Sequence, residues 1–232
     1  MTRIVLIWGA ALFVTPLTMA QLNLIEIGGV PQTGNVALAT LGAQPHASSV
    51  ISGYPFHAIS GLNDGWYGNN GTINYGDGVG SSGASWIPTT QTATAGISLP
   101  APATIDRIAW GRDSSMTWNE RTSGLYIVKV STDALPFFDP GKTWQVVGSV
   151  ELQDYTSTDS LRHLYSFASQ VGVTDVKIDV TAYGQAVCIE EIELYAAVPE
   201  PGTLMALSVA TVLAAGAKKR RKARGSAPTT AS

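Results

Sequence analysis

Apolar and polar residues alternate with a period of two through most of the chain, and Gly, Pro, Asn and Asp interrupt the alternation at short intervals. Residues 175–182 show the pattern most plainly. Val176, Ile178 and Val180 fall on the inward face of an extended strand, and Lys177, Asp179 and Thr181 on the outward one. The same reading predicts strands at 22–27, 35–41, 96–99, 104–110, 124–131, 144–150, 162–167 and 186–195, about nine in all. No segment between them carries the three-and-four spacing of an amphipathic helix. The pattern therefore predicts an all-β chain folded as a two-sheet sandwich.

Residues 61–85 break this rhythm with eight glycines and several Asn and Asp. The stretch is too long for a hairpin turn and too interrupted for a strand. It holds Trp66, Tyr67 and Tyr75, and aromatic residues are sparse in disordered segments, so an ordered loop with a function is expected.

Two apolar runs of another kind lie at the ends. Residues 1–20 carry one cation, Arg3, an apolar stretch over 4–14, Pro16, and small residues Thr18 and Ala20 before Gln21. This order predicts a signal peptide cut by signal peptidase, because the stretch is short for a span. At the other end, Pro199, Glu200 and Pro201 precede an apolar run over 204–217 and the basic cluster Lys218-Lys-Arg-Arg-Lys222-Ala-Arg224. Those three parts resemble the PEP-CTERM sorting signal of bacterial envelope proteins. The resemblance implies export, temporary anchoring in the inner membrane by a single transmembrane helix with a cytoplasmic basic end, and processing near the motif by an exosortase. It places the protein at the cell envelope, the outer surface or the extracellular matrix. The tail 225–232 runs past the basic cluster, where such signals usually stop. The expected organisation is a signal peptide (1–20), one domain (21–197), the sorting signal (198–224) and the tail.

Removing the ends changes the charge. The whole chain has a net charge of −3, but residues 21–197 hold seven Lys and Arg against sixteen Asp and Glu, or about −9. Such a body does not neutralise phosphates, which argues against nucleic acid as a partner. Clustered carboxylates suit a divalent cation, and an acidic surface also serves solubility. Cys188 is the single cysteine, so no intramolecular disulfide forms; within an apolar run it reads as a buried, inert thiol.

A second resemblance spans nearly the whole body. Asn35-Val-Ala-Leu38, Leu62-Asn-Asp-Gly65, Ser85-Trp-Ile87, Ile105-Asp-Arg-Ile-Ala-Trp-Gly-Arg-Asp113, Tyr126-Ile-Val-Lys-Val-Ser131, Trp144 and Cys188-Ile-Glu-Glu-Ile-Glu-Leu-Tyr195 follow the order of discoidin-like domains. These are also called coagulation-factor C-type or galactose-binding-like domains. The resemblance implies a jelly-roll β-sandwich. It further implies a structural calcium between the Asp-Gly loop and the last strand, with Asn63, Asp64, Asn69 and Glu191 as ligands. Sugar would be met by loops at one end, through Trp66, Tyr67, Arg112, Asp113, Trp118 and Arg121. Aromatic faces stack on the CH faces of sugars, and planar Arg and carboxylate groups sort hydroxyls. Plainer readings stand beside these: Asp64-Gly65 as a turn, Glu190, Glu191 and Glu193 as solvated carboxylates, Arg112 as a loop pin, and Trp86, Trp110 and Trp144 as core.

Catalytic patterns are missing from the sequence. There is no His-Glu-x-x-His, no Gly-x-Ser-x-Gly and no phosphate-cradling glycine loop, and His46, His57 and His163 share no ligand spacing. The expectation is a non-catalytic exported protein that binds carbohydrate, such as exopolysaccharide or a surface glycan. The alternative is a structural matrix protein without a specific ligand.

Overall fold

The computed structural model of the chain describes residues 20–29, 31–54, 57–67, 85–112, 120–153 and 158–197. The signal peptide through residue 19, the sorting motif Pro199, Glu200 and Pro201, the expected transmembrane helix and the tail lie outside the described residues. The chain divides into two units, Met1–Ala196 and Ala197–Ser232. Among the described residues no helix is long and apolar enough to cross a membrane.

The described residues form β1 (Asn23–Ile27), β2 (Gln44–Ala47), β3 (Thr92–Gly111), β4 (Gly124–Ser131), β5 (Gln145–Leu152), β6 (His163–Ala182) and β7 (Glu191–Ala196), with short 3-10 turns at Ala39–Leu41 and Ile59–Leu62. All strand pairs are antiparallel. The predicted strands 96–99 and 104–110 are halves of β3, and 162–167 and 175–182 are halves of β6. Each of these strands has twenty residues, which extended would reach ~66 Å, far beyond the roughly 16 Å radius of gyration of such a domain. The β3–β6 ribbon therefore folds over. Its register slips three times between Ser98 and Arg107, the irregularity by which a ribbon turns a corner between sheets. One half lies in the layer β2-β3-β6-β4-β5, and the other is flanked by β7 and β1.

The alternating residues of both layers meet in one core. Ile97, Val128, Val176, Ile178 and Val180 come from the first layer, and Ile108, Trp110, Tyr165, Ile192 and Leu194 from the second. This is the two-sheet sandwich that periodicity predicts, of the jelly-roll type that the resemblance implies.

Four local expectations need correction. Residues 35–41 are not a strand, because side chains take the backbone groups a neighbouring strand would use. Asn35 Oδ1 accepts from the amides of Ala37 and Leu194 (2.9 and 3.0 Å), and the Asn63 amide donates to the carbonyls of Ala37 and Ala43 (2.8 and 3.2 Å). The last strand starts at Glu191 rather than 186. Trp86 and Trp110 are buried, but Trp144 is only half-buried. Glu190, Glu191 and Glu193 are all buried rather than solvated. β2 was not legible from periodicity. It is a four-residue strand containing Pro45, and it pairs only with β3, at the edge where proline is tolerated.

Candidate functional site

The segment just before β7 gathers the loops at one end of the sandwich. Ile189 exchanges two backbone hydrogen bonds with Trp86 (2.6 and 3.0 Å), Cys188 N–H donates to Arg121 O (2.8 Å), and Glu190 N–H donates to Gly111 O (2.8 Å). One step further, Glu191 Oε2 accepts from Gly65 N–H at 3.0 Å. A four-residue span, 188–191, thus ties together the loops bearing Trp66, Arg112 and Arg121.

Each side chain is placed differently. Trp66 is 46% exposed, and its amide donates to Asp64 Oδ1 at 2.9 Å, a side-chain turn that presents the indole outward. Arg121 is half-exposed and holds φ at 64°, a left-handed conformation rare for a residue with a Cβ. Its carbonyl bond to Cys188 helps hold it there. Arg112 is buried. It donates to the Glu120 carbonyl and pairs with Glu120 Oε1 at 2.8 Å, so it pins its own loop instead of offering a guanidinium fork to a ligand. Burial opposes its charge, but Cys188 and Glu120 outweigh that and raise its pKa.

Tyr67 does not face solvent either. It is 7% exposed, and its hydroxyl donates to Glu193 Oε1 at 2.7 Å. Burial and then the Glu193 charge push that phenol well above its usual range. Asp113, Trp118 and Asn69 lie outside the described residues.

Sequence reasoning missed two neighbours. His57 Nδ1 is 2.9 Å from Ser85 Oγ, and Tyr54, 58% exposed, sets its ring 5.8 Å from the imidazole. Burial lowers the His57 pKa, and the charges of Arg121 and Arg112 lower it further, against the raising effect of its Ser85 hydrogen bond. A scattered histidine carries no spacing signal, so only the closed fold could reveal it. The loops tied to residues 188–191, directly or through Ser85 and Trp86, thus carry two aromatic faces (Trp66 and Tyr54), the His57 imidazole and the Arg121 cation.

All three histidines are shifted the same way. His163 Nδ1–H donates to the Leu161 carbonyl (2.8 Å), and burial lowers its pKa, as it does for His46 and His57. A histidine that stays neutral in the fold but protonates in the unfolded chain below pH ~6.5 contributes stability that is lost on acidification. Urea melts from pH 7 to 5 should show the parent losing more stability than His163→Phe, which keeps the stack on Tyr165; parallel pH profiles would refute this.

The expected calcium ligands divide clearly. Asn63 Oδ1 and Glu191 Oε1 are buried without a hydrogen-bond partner. Burial pushes the Glu191 carboxyl well above the usual carboxylate range; the Gly65 and Trp66 amides counter this, while the charges of Asp64 and Glu193 add to it. Two orphaned oxygens amid negative charge suit a hard cation, which takes six to eight oxygen donors. Among the described residues no cluster of three His, Cys, Asp or Glu forms a metal centre. A site here would therefore combine Glu191, Asp64 and the Asn63 amide oxygen with backbone carbonyls.

Residues 197–222 match the PEP-CTERM protein-sorting motif. The chain is similar in fold to a Clostridium perfringens structure described as CpGH89CBM32-5 in complex with GalNAc-beta-1,3-galactose, with TM-score 0.50 and 13% identity, covering 70% of this chain and 100% of that one. It is also similar to a Ruminococcus gnavus GH29 fucosidase in complex with fucose, with TM-score 0.50 and 17% identity, covering 71% of this chain but only 27% of that one. No curated protein matches the sequence.

Proposed function

We propose that this is an exported, non-catalytic glycan-binding protein of the bacterial envelope or extracellular matrix, delivered by its sorting signal and processed by an exosortase. The observation that carries the reading is the loop-end cluster of Trp66, Tyr54, His57 and Arg121, hung on the span before β7 in a sandwich of the carbohydrate-binding-module type. Trp66 and Tyr54 would stack on apolar sugar faces, and His57 and Arg121 would take hydroxyls. Calcium held by Glu191, Asp64 and Asn63 would fix the turn that presents Trp66, with no part in chemistry.

β7 runs from Glu191 in the cluster to Ala196, about five strand rises or ~17 Å away, where it pairs with Ile105 at the fold-over of β3. The sorting motif starts at the next residue.

The test is a pull-down on exopolysaccharide and a glycan array, with and without EDTA. Trp66→Ala should weaken retention about tenfold or more, as truncating a central aromatic contact does; retention equal to the parent would remove Trp66 from the site. One observation favours the rival reading of a structural matrix protein: Tyr67 and Arg112, both expected to meet sugar, are committed to internal partners. A folded sample that binds no glycan would support that rival.

A further inference from the structure

The loop after β4 folds back onto the outer side of the first layer. Phe137 packs at Gly96, where any Cβ would collide with the Phe137 ring and the Val176 carbonyl. His46 stacks on Phe137 at 4.3 Å between centroids, and Phe137 meets Trp144 edge-on at 5.2 Å. Lys177 and Lys142 Nζ sit 4.6 and 5.6 Å from the Trp144 ring centre. The indole is therefore held by an aromatic edge and two cations rather than left to rotate.

Trp144 lines a cavity of about 340 Å³ with Thr132, Thr143, Gln145, Gln170 and Val171. No lining residue is charged. The nearby cations are already used: Lys142 Nζ binds the carbonyls of Asp133 and Leu135 (2.7 and 2.6 Å) and Asp175 Oδ2 (2.8 Å), and Lys177 and Lys129 both pair with Asp179 (3.4 and 2.7 Å). In contrast, the Trp144 indole N–H, the Gln145 amide and the Thr132 hydroxyl have no hydrogen-bond partner among the described residues. The cavity volume is near the lower end of the ~300–1,000 Å³ of small-molecule sites.

We infer that this cavity is a second ligand site, for an uncharged, hydroxylated ligand of one or two sugar rings, with Trp144 as the stacking platform and Gln145 and Thr132 as hydroxyl partners. Val171, 75% exposed at the corner of β6, supplies an apolar rim. The site is separate from the loop-end cluster. β4 starts beside Arg121 and ends at the cavity, seven rises or ~23 Å away. Sites at both ends would let one domain bridge two glycan chains, gaining retention through multivalency without a new contact.

The test follows the indole signals of the full-length chain, labelled with ¹⁵N at tryptophan and held in detergent, with Trp144→Phe and Trp66→Phe to assign two of the six indoles. The probes are neutral di- and trisaccharides of glucose, galactose and their N-acetylamino forms. A saturable shift at Trp144, weakened about tenfold in Thr132→Ala/Gln145→Ala, is expected. Both substituted residues are exposed, so the fold should be unaffected. A Trp144 signal that no probe moves while Trp66 responds overturns the second site and leaves the loop-end site standing. Silence at both overturns both, and a Trp144 shift unaltered by the double substitution overturns the assignment of its partners.

Discussion

Arg162→Met is expected to destabilise the domain by about 3–5 kcal/mol, the cost of leaving a buried charge without its partner. Arg162 is buried at the start of β6 and grips Glu193 with two parallel bonds, Nε to Oε1 at 2.7 Å and Nη2 to Oε2 at 3.1 Å. Its Nη1 reaches Glu26 at 3.2 Å. Desolvation works against the guanidinium, but the bonds and charge of Glu193 win, so its pKa rises and it stays ionised. The hydroxyls of Tyr67 and Tyr195 also donate to Glu193, and Tyr195 is pushed up to about 12 by burial and then by that carboxylate. Losing Arg162 strands a carboxylate that is 0% exposed. Urea melts should show the loss, with Tm falling by roughly 6–20 °C. The double variant Arg162→Met/Glu193→Leu should recover much of it, because removing both charges removes the desolvation cost. A loss under ~1 kcal/mol in the single variant would mean the pair is not the stabilising unit. The network also lies behind Tyr67, one residue from Trp66, so it links the stability of the second layer to the loop that carries the proposed sugar contact.

Calcium is expected to raise the stability of the parent by about 2.7 kcal/mol at a hundred times its dissociation constant, or roughly 5–11 °C in Tm. Glu191→Gln should abolish that shift. The same variant should be at least as stable as the parent in EDTA, because it replaces a carboxyl whose burial already disfavours its ionised form with a neutral amide of the same shape. This opposite pair of effects separates a cation site from a merely structural glutamate, which would lose stability in both conditions. A calcium shift that survives in Glu191→Gln would place the ion elsewhere or nowhere near Asn63 and Asp64.

The strands were legible because their signal is local. Val176, Ile178 and Val180 point inward in the fold as their alternation requires, and β4 spans the predicted 124–131. Residue 35 onward misled for a reason equally physical: Asn35 and Asn63 satisfy backbone groups with side-chain amides, and the partners lie 159 and 26 residues away. Tyr67 and Arg112 carry the residue types of a sugar site, yet distant carboxylate and local carbonyl partners claim them. His57 became a candidate only through its hydrogen bond to Ser85, next to the Trp86 that pairs with Ile189.

The sequence by itself determined the all-β class, the inward faces of the strands and the sorting motif at residues 197–222, because alternation, turn chemistry and the order of apolar and basic runs are properties of neighbouring residues. The tertiary structure decided that four predicted strands are two long ones, that Glu191 and Glu193 are buried, and which polar side chains remain available to a ligand. Those outcomes depend on where the β3–β6 ribbon folds over and on which distant atoms reach each donor and acceptor, and closing the sandwich is what brings such atoms within hydrogen-bonding distance.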